Sequence, residues 1–180
     1  MLISALLLIV PYGYAEEKLE SAFGFVFGEV YDEDRICDSV PADACKSVRC
    51  VVGGQFCKNI FQPIGGHHIF KNYDLNLVNQ RLVAVHGKGG LKSHEICLVW
   101  AKRIITSIKS NRDVSLAPAG EVVSESERKN KWFWMTGEQG DPPDYSYRSI
   151  ALLCNTIDEK TEISIHYFSW VGLSRGDSNL

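Results

Sequence analysis

The most regular spacing of apolar residues lies in SHEICLVWAKRIITSIKS, residues 93–110. The apolar positions there recur every three or four residues, at Cys97, Trp100, Ala101, Ile104, Ile105 and Ile108. This period predicts an amphipathic helix with one buried face. Ser93 can cap its N-terminus, and Glu95 lies where the helix dipole favours a negative charge.

Six other segments alternate apolar with polar or small residues, which is the period of a strand with one buried face. They span residues 21–31, 69–78, 80–87, 131–137, 148–157 and 162–173. The second and third of them flank Asn79 and Gln80 as a hairpin would. The predicted order is three strands, the helix and three more strands. We therefore expect an α+β fold, an antiparallel sheet of about five to six strands with one principal helix packed across it.

Four segments between these elements have compositions typical of connections. We interpret residues 32–57 as an irregular loop, within a cysteine-rich insertion at about 32–66. The stretch GKGGLKS, residues 87–93, reads as a flexible turn into the helix. Residues 112–131 are polar and predict a short helix or a loop. Residues 137–147, GEQGDPPDYSY, are expected to form an exposed turn between strands.

Composition limits the class of protein. The chain has 180 residues, 45% hydrophobic and 23% charged, which predicts one domain of ordinary globular type. Its formal net charge of −3 gives no field that would recruit nucleic acid or an anionic membrane. We therefore expect neither as a partner.

The N-terminal residues 1–15, MLISALLLIVPYGYA, resemble a secretory signal peptide cleaved after Ala15. The apolar run from Leu2 to Val10 is about half the ~20 residues that a membrane-spanning helix needs. No Lys or Arg precedes the run, so the true start can lie upstream. The alternative is a buried N-terminal strand. The prediction is a periplasmic or secreted single domain over residues 16–180, without stable membrane insertion once the signal is removed.

Six cysteines in an exported chain favour three disulfides. They are Cys37, Cys45, Cys50, Cys57, Cys97 and Cys154. Fifteen connectivities are open; local bridges among the first four would leave Cys97 and Cys154 to join the helix to a strand. The alternative is that these two are unpaired, buried and act as small apolar residues. The spacing of the first four lacks the repeated short knuckle of a zinc site.

The segments FGFVFGEVYD, IFKNYDLNLV, RLVAVHG, HEIC and RSIALLCNTIDEKTEISIHYFSWVGL are similar, taken together, to small exported bacterial proteins of an uncharacterised type. Those proteins open with a Phe-Gly-x-x-Phe-Gly strand and carry a cysteine at the start of a central helix and another in a later strand. The resemblance covers residues 22–31 and about 60–173. The four-cysteine segment departs from it. The resemblance implies no activity and no catalytic residue.

The sequence contains no nucleophile elbow, zinc-protease helix, phosphate-binding loop or calcium loop. GKGG, residues 87–90, resembles a phosphate loop in composition alone. Five histidines are present, namely His67, His68, His86, His94 and His166. Two alternatives are open, a metal site from three of His67, His68, His86 and His94 with Glu95, and an acid–base site that uses His86 or His94 with Glu95. The default expectation is exposed histidines and no catalytic residue, metal or cofactor. His67 and His68 are adjacent, so in an extended chain their rings would point to opposite faces.

Trp132, Phe133 and Trp134 are consecutive, so strand alternation must direct Phe133 to the face opposite the two tryptophans. Beyond them, the Pro-stiffened turn offers a set of acidic and tyrosine residues, namely Glu138, Asp141, Asp144, Tyr145 and Tyr147. Tyrosines beside carboxylates on a rigid loop suit docking onto the basic cleft of a protein partner. The alternative is a solvated turn whose tyrosines lie back on the sheet.

These observations favour an exported, disulfide-stabilised module of the bacterial envelope that binds a protein, an enzyme or toxin, as inhibitors and immunity proteins do. A small exported enzyme with a histidine-based or metal-assisted site is the second hypothesis. A purely structural envelope protein is the third.

Overall fold

The computed structural model describes residues 19–51, 55–112, 114–124, 126–138 and 146–170. Its strands are β1 (Ser21–Ala22), β2 (Phe25–Val26), β3 (Arg49–Cys50), β4 (Phe56–Ile60), β5 (Asn72–Val78), β6 (Arg81–Leu91), β7 (Ala117–Val123), β8 (Glu127–Glu138), β9 (Ser146–Ile157) and β10 (Lys160–Trp170). Its helices are α1 (Glu33–Asp38), α2 (Ala42–Cys45) and α3 (His94–Arg112). The predicted signal peptide, residues 1–15, lies outside the described residues.

Eight of the strands form one antiparallel sheet in the order β3-β4-β5-β6-β10-β9-β8-β7, and β1 and β2 form a separate pair. The structure is therefore mostly β. The predicted fold of one principal helix over five to six strands is wrong, because the sheet has eight strands and the described residues form three helices. The additional strands β3, β4 and β7 do not alternate apolar and polar residues, so the period could not indicate them.

The predicted strand over residues 21–31 is also wrong. Phe23 and Gly24 both have positive φ, 54° and 86°, and reverse the chain between β1 and β2. Positive φ at both central residues is the geometry of the tight hairpin turns that follow the twist of the strands. Phe23 then packs edge-on against Tyr73 and Tyr167, with centroids 4.8 and 5.4 Å away. The alternating aromatic residues of this segment therefore lie in a hairpin and not in a single strand.

The helix α3 confirms the strongest prediction. Its buried residues include Cys97, Ala101, Ile104 and Ile108, and it packs on β6, β9 and β10. The Ser93 carbonyl accepts a hydrogen bond from the Cys97 amide at 3.1 Å, and its hydroxyl accepts one from the Ile96 amide at 3.4 Å. The first of these is the opening backbone bond of the helix, and the second satisfies an amide of the first turn that has no backbone partner within the helix.

Three disulfides link Cys37 to Cys45, Cys50 to Cys57 and Cys97 to Cys154. The pairing is local within the cysteine-rich segment, and the third bridge joins α3 to β9 across 57 residues of sequence. Both cysteines of this third bridge are fully buried, and their Cα atoms are 5.8 Å apart. Cys97 thus fixes the first turn of the helix to the sheet.

The cysteine-rich segment is more regular than predicted. It contains α1, α2, β3 and β4, and β4 pairs with β5 in the main sheet. Its Ile36, Val40, Ala44 and Val48 are buried in the common core. The expectation of an irregular loop over residues 32–57 is therefore wrong.

The expected flexible turn at GKGGLKS is wrong as well, because β6 continues to Leu91. Gly89 faces the helix side, where a Cβ atom would lie 2.0 Å from the Ile69 carbonyl oxygen. Its neighbour Gly90 faces the other side, where a Cβ would meet nothing within 4 Å. A glycine inside a strand marks close approach of another backbone. Here the approaching backbone is the segment that leads into β5.

The two edges of the sheet differ from its centre. One edge is β3, a strand of two residues. The other is β7, whose residues are all exposed and whose ladder with β8 is interrupted between Pro118 and Gly120. The prediction of a short helix or loop over residues 112–131 is wrong, because β7 and the first part of β8 occupy most of it.

Candidate functional site

The sheet has two faces, and the candidate residues are divided between them. The covered face carries α3 and, on β10, the buried residues Ile163, Ile165 and Tyr167. The positions that alternate with these form the face away from α3, which we call the outer face. On β10 the outer face presents half-buried His166 and Phe168.

The segment predicted to bind a partner, residues 138–147, joins β8 to β9, and we call it the partner loop. The last register pair of these two strands is Glu138 with Ser146, and each strand has 12 residues. The connection is therefore anchored at both ends by a long antiparallel ladder. Asp141, Asp144 and Tyr145 lie outside the described residues, so their role as partner-binding residues stays a prediction.

Tyr147, the last residue of the predicted set, lies on the outer face beside two aromatic residues of β10. Its ring centroid is 5.4 Å from that of Phe168, and Phe168 stacks with Trp170 at 6.4 Å. We call Tyr147, Phe168 and Trp170 the aromatic strip. Because Tyr147 pairs with Trp170 in the register, the strip lies at the end of the sheet where the partner loop begins.

The aromatic strip offers half-buried rings as a contact surface. Such rings supply large apolar area, and tyrosine adds a hydroxyl that can hydrogen-bond to a partner. Met135, which pairs with Ser149 on the same face, is 56% exposed. Phe168 and Trp170 were not among the predicted site residues. The alternation within HYFSW, residues 166–170, is the signal that places both on one face.

The expected division of the consecutive aromatics is confirmed. Trp132 and Trp134 pack against the core on the covered face. Phe133 lies between them in sequence and points to the outer face, where the Lys131 ammonium is 5.3 Å from its ring centroid. A cation above an aromatic face is attracted by the ring quadrupole.

His86 and His166 also meet on the outer face, as register partners whose ring centroids are 5.5 Å apart. Burial lowers the pKa of His86 to about 4, with further lowering by Lys88 and His166, and Asp74 opposes the shift. Burial likewise lowers the pKa of His166. Both rings are therefore neutral at neutral pH, so the expectation of exposed, solvated histidines is wrong for this pair.

His94 lies on the other side of the sheet and is 8% exposed. Its Nε2 donates to the Asn130 Oδ1 at 2.7 Å, because an amide oxygen can only accept. Its Nδ1 is 3.0 Å from the Thr156 hydroxyl, which in turn is 2.9 Å from that of Thr161. Both ring nitrogens are thus engaged in joining the start of α3 to β8 and β9.

A pocket of about 610 Å³ opens beside His94, with Arg128 and Glu95 in its wall. The Arg128 guanidinium is 3.5 Å from the Glu95 carboxylate. His94 and Glu95 therefore lie together in this pocket, whereas His86 does not. Both ring nitrogens of His94 already have hydrogen-bond partners in the protein. Among the described residues, no group of three or more His, Cys, Asp or Glu side chains could hold a metal ion.

The expectation for His67 and His68 is wrong. Their rings do not point to opposite faces but stack on each other, with centroids 4.5 Å apart, and both lie edge-on to Trp100. The chain turns at this point, so strand alternation does not apply. Burial and the neighbouring His68 hold the pKa of His67 below its ordinary value.

In the described part of the chain, no helix combines the length and apolarity needed to cross a membrane. Comparison with known proteins finds no match to this chain among protein family models, curated proteins or solved structures.

Proposed function

We propose that the protein is an exported, disulfide-stabilised binding module of the bacterial envelope that captures a protein partner, an enzyme or toxin. It does so with the partner loop and the adjoining aromatic strip, as inhibitor and immunity proteins use a rigid loop. The observation that carries the proposal is the position of Tyr147. It continues the acidic loop directly into the outward-facing aromatic residues Phe168 and Trp170.

The composition of this surface supports a protein ligand. Aromatic residues are enriched in protein interfaces, whereas charged residues are concentrated at their rims. Residues 138–147 contain Glu138, Asp141 and Asp144 and no Lys or Arg. A loop of one sign of charge steers association with a surface of the opposite sign. The partner is therefore expected to present a basic cleft.

The rigidity of the scaffold supports the same proposal. Binding costs less entropy when the contact residues are ordered before the partner arrives. The loop leaves and re-enters the sheet through β8 and β9, and β9 is bonded to α3 by the disulfide between Cys97 and Cys154. Three disulfides also favour an oxidising compartment, which supports periplasmic or secreted localisation.

The test begins with capture and ends with a measured affinity. The full-length chain, expressed for export so that its disulfides form, is immobilised and exposed to envelope extract and culture supernatant. Mass spectrometry is expected to identify one stoichiometric partner with a basic binding cleft. The purified partner is then titrated against wild type and the triple variant Glu138→Gln, Asp141→Asn, Asp144→Asn. We expect the affinity of the triple variant to fall at least about tenfold at low salt, and less at high salt.

A matched control removes the same charge at the opposite end of the sheet. The variant Asp158→Asn, Glu159→Gln, Glu162→Gln alters the β9–β10 turn and the following strand, and it should bind as wild type does. Tyr147→Ala should weaken binding without a change in the salt dependence. Equal affinities for the loop triple, Tyr147→Ala and wild type would contradict the proposal, as would a folded bait that captures nothing.

A further inference from the structure

A small cavity of about 120 Å³ lies between α3 and the covered face of the sheet, on the side opposite the aromatic strip. Its interior is apolar and includes the buried side chains of Phe70, Ile104, Ile108 and Ile165. A dry apolar cavity of roughly 150 Å³ is known to accept benzene. The space therefore suits a group of about the size of one aromatic ring.

The mouth of this cavity is polar and positively charged. Arg103 and Ser107 line it from α3, where residues four apart lie on the same side of the helix, and both are exposed. The Arg103 guanidinium lies 4.9 Å from the Trp100 ring centroid. No ion pair in the described part of the chain includes Arg103. The Arg103 guanidinium thus borders an apolar space and has no carboxylate partner among the described residues.

His67 adds a second donor to the lining of the cavity. Its Nδ1 accepts a hydrogen bond from the Ile69 amide at 3.2 Å, so the proton of the neutral ring is on Nε2. The neutral ring is the main form at neutral pH, because its pKa is lowered by burial. An N–H donor and a guanidinium on one lining are both suited to an acceptor oxygen.

We propose that this cavity binds a small aromatic or branched aliphatic carboxylate, with the apolar group between α3 and the sheet and the carboxylate on the Arg103 guanidinium. Planar, two-point recognition of a carboxylate is characteristic of arginine. A neutral apolar ligand would forgo that charge-assisted contact, and a cationic one would be repelled by Arg103. The volume of about 120 Å³ favours a buried group no larger than about one ring.

Benzoate is the probe that tests this site, with benzyl alcohol and benzylammonium as neutral and cationic analogues of similar shape. Each is titrated into the oxidised full-length chain while amide chemical shifts are followed by NMR. We expect saturable shifts of α3 residues around Arg103 and Ser107 with benzoate. Benzoate should bind at least about tenfold more tightly than benzyl alcohol, as a charge-assisted pair allows, and benzylammonium should not bind.

Three variants distinguish the cavity from general attraction to a basic surface. Arg103→Gln should remove the preference for benzoate over benzyl alcohol, whereas Lys102→Gln removes the same charge from the neighbouring exposed position and should change neither affinity. Ser107→Leu should occlude the mouth and abolish binding of both compounds. Absence of saturable benzoate binding at millimolar concentration, shifts confined to another part of the protein, or equal effects of the Arg103 and Lys102 variants would each overturn the proposal.

Discussion

The covered and outer faces of the sheet differ in almost every property, although they are formed by alternate residues of the same strands. On β10, the covered face presents Ile163 and Ile165, which are essentially inaccessible. The outer face presents His166 and Phe168, which are half-buried. The covered face also holds the disulfide between Cys97 and Cys154, which ties the helix to the sheet.

This difference separates the face that stabilises the fold from the face that is proposed to bind a partner. Burial of apolar side chains and the long-range disulfide concentrate the stabilising free energy on the covered face. Substitutions there should be costly to folding. The outer face carries aromatic and titratable side chains that are less needed for packing, and it leads directly into the partner loop. Substitutions there should affect binding or the pH dependence of stability more than the fold itself.

The largest expected effect is loss of the disulfide on the covered face. Replacing Cys97 and Cys154 by Ala opens a loop of 57 residues, and chain-entropy models assign such a closure about 4 kcal/mol. Replacing Cys37 and Cys45 by Ala removes a bridge between residues eight positions apart and should lower the free energy of unfolding by only about 2.5 kcal/mol. Equilibrium urea unfolding of the two double variants gives both values. A greater loss for the Cys37 and Cys45 variant would contradict this ranking.

Substitution of two adjacent glycines in β6 allows the two faces to be compared at neighbouring positions of one strand. Gly89→Ala should reduce the free energy of unfolding by about 3 kcal/mol, because its Cβ cannot coexist with the Ile69 carbonyl oxygen. Gly90→Ala adds the same atom on the outer face, where space is open, and should change stability by less than about 0.5 kcal/mol. Chemical denaturation of both variants measures the contrast. Similar losses for both would show that strand propensity, not packing, decides the cost.

Of the three expected losses of stability, the smallest is that from protonation of the histidine pair on the outer face. In the folded state the pKa of His86 is lowered to about 4, while the unfolded chain titrates near its ordinary 6.5. Between these values the unfolded state binds more protons, so stability is fully present above about pH 6.5 and declines as the pH falls towards 4. Because the ring is partly solvated, we expect this pair to contribute about 1–2 kcal/mol to that decline.

The measurement is the free energy of unfolding at about pH 7 and about pH 4.5, for wild type and for the double variant His86→Gln, His166→Gln. The variant should lose less stability on acidification than wild type by that amount. An equal loss in both proteins would assign the acid sensitivity to other groups, such as His67, whose pKa is also lowered.

The parts of the fold that the sequence predicted correctly are those in which one physical period dominates. The helix α3 repeats apolar residues at helical spacing from Cys97 to Ile108, and the structure places it at His94–Arg112, close to the predicted residues 93–110. The hairpin of β5 and β6 was predicted because two alternating runs lie on either side of Asn79 and Gln80, and the structure gives both of these turn residues a positive φ. Strong local patterns thus predicted local structure.

The strands that the sequence did not predict have no such period. The seven residues of β7 are all exposed, so no buried face imposed alternation on its sequence. The strand β6 was predicted too short because glycines usually indicate a turn. Gly89 instead lies within the strand, where the Ile69 carbonyl leaves no room for a side chain. This close approach is a tertiary contact between residues twenty positions apart. Only the assembled fold shows it.

The candidate site was predicted in part. Tyr147 was selected for its place beside carboxylates, and the structure adds Phe168 and Trp170 because β9 and β10 are paired. Sequence reasoning cannot know which strands are neighbours, so it could not combine residues from two of them. The cavity beside Arg103 was missed for the same reason, since its lining comes from the helix, the sheet and the segments around Phe23 and His67.

The edges of the sheet are the places where copies of the protein could join through their strands. An unpaired edge strand is a template on which another chain can add a strand, the first step of fibre growth. Pro118 supplies no N–H, and the irregularity between it and Gly120 breaks the ladder of β7, while β3 at the other edge offers only two residues. Neither edge gives an incoming strand a continuous row of partners. These interrupted edges therefore protect the fold against polymerisation through its strands.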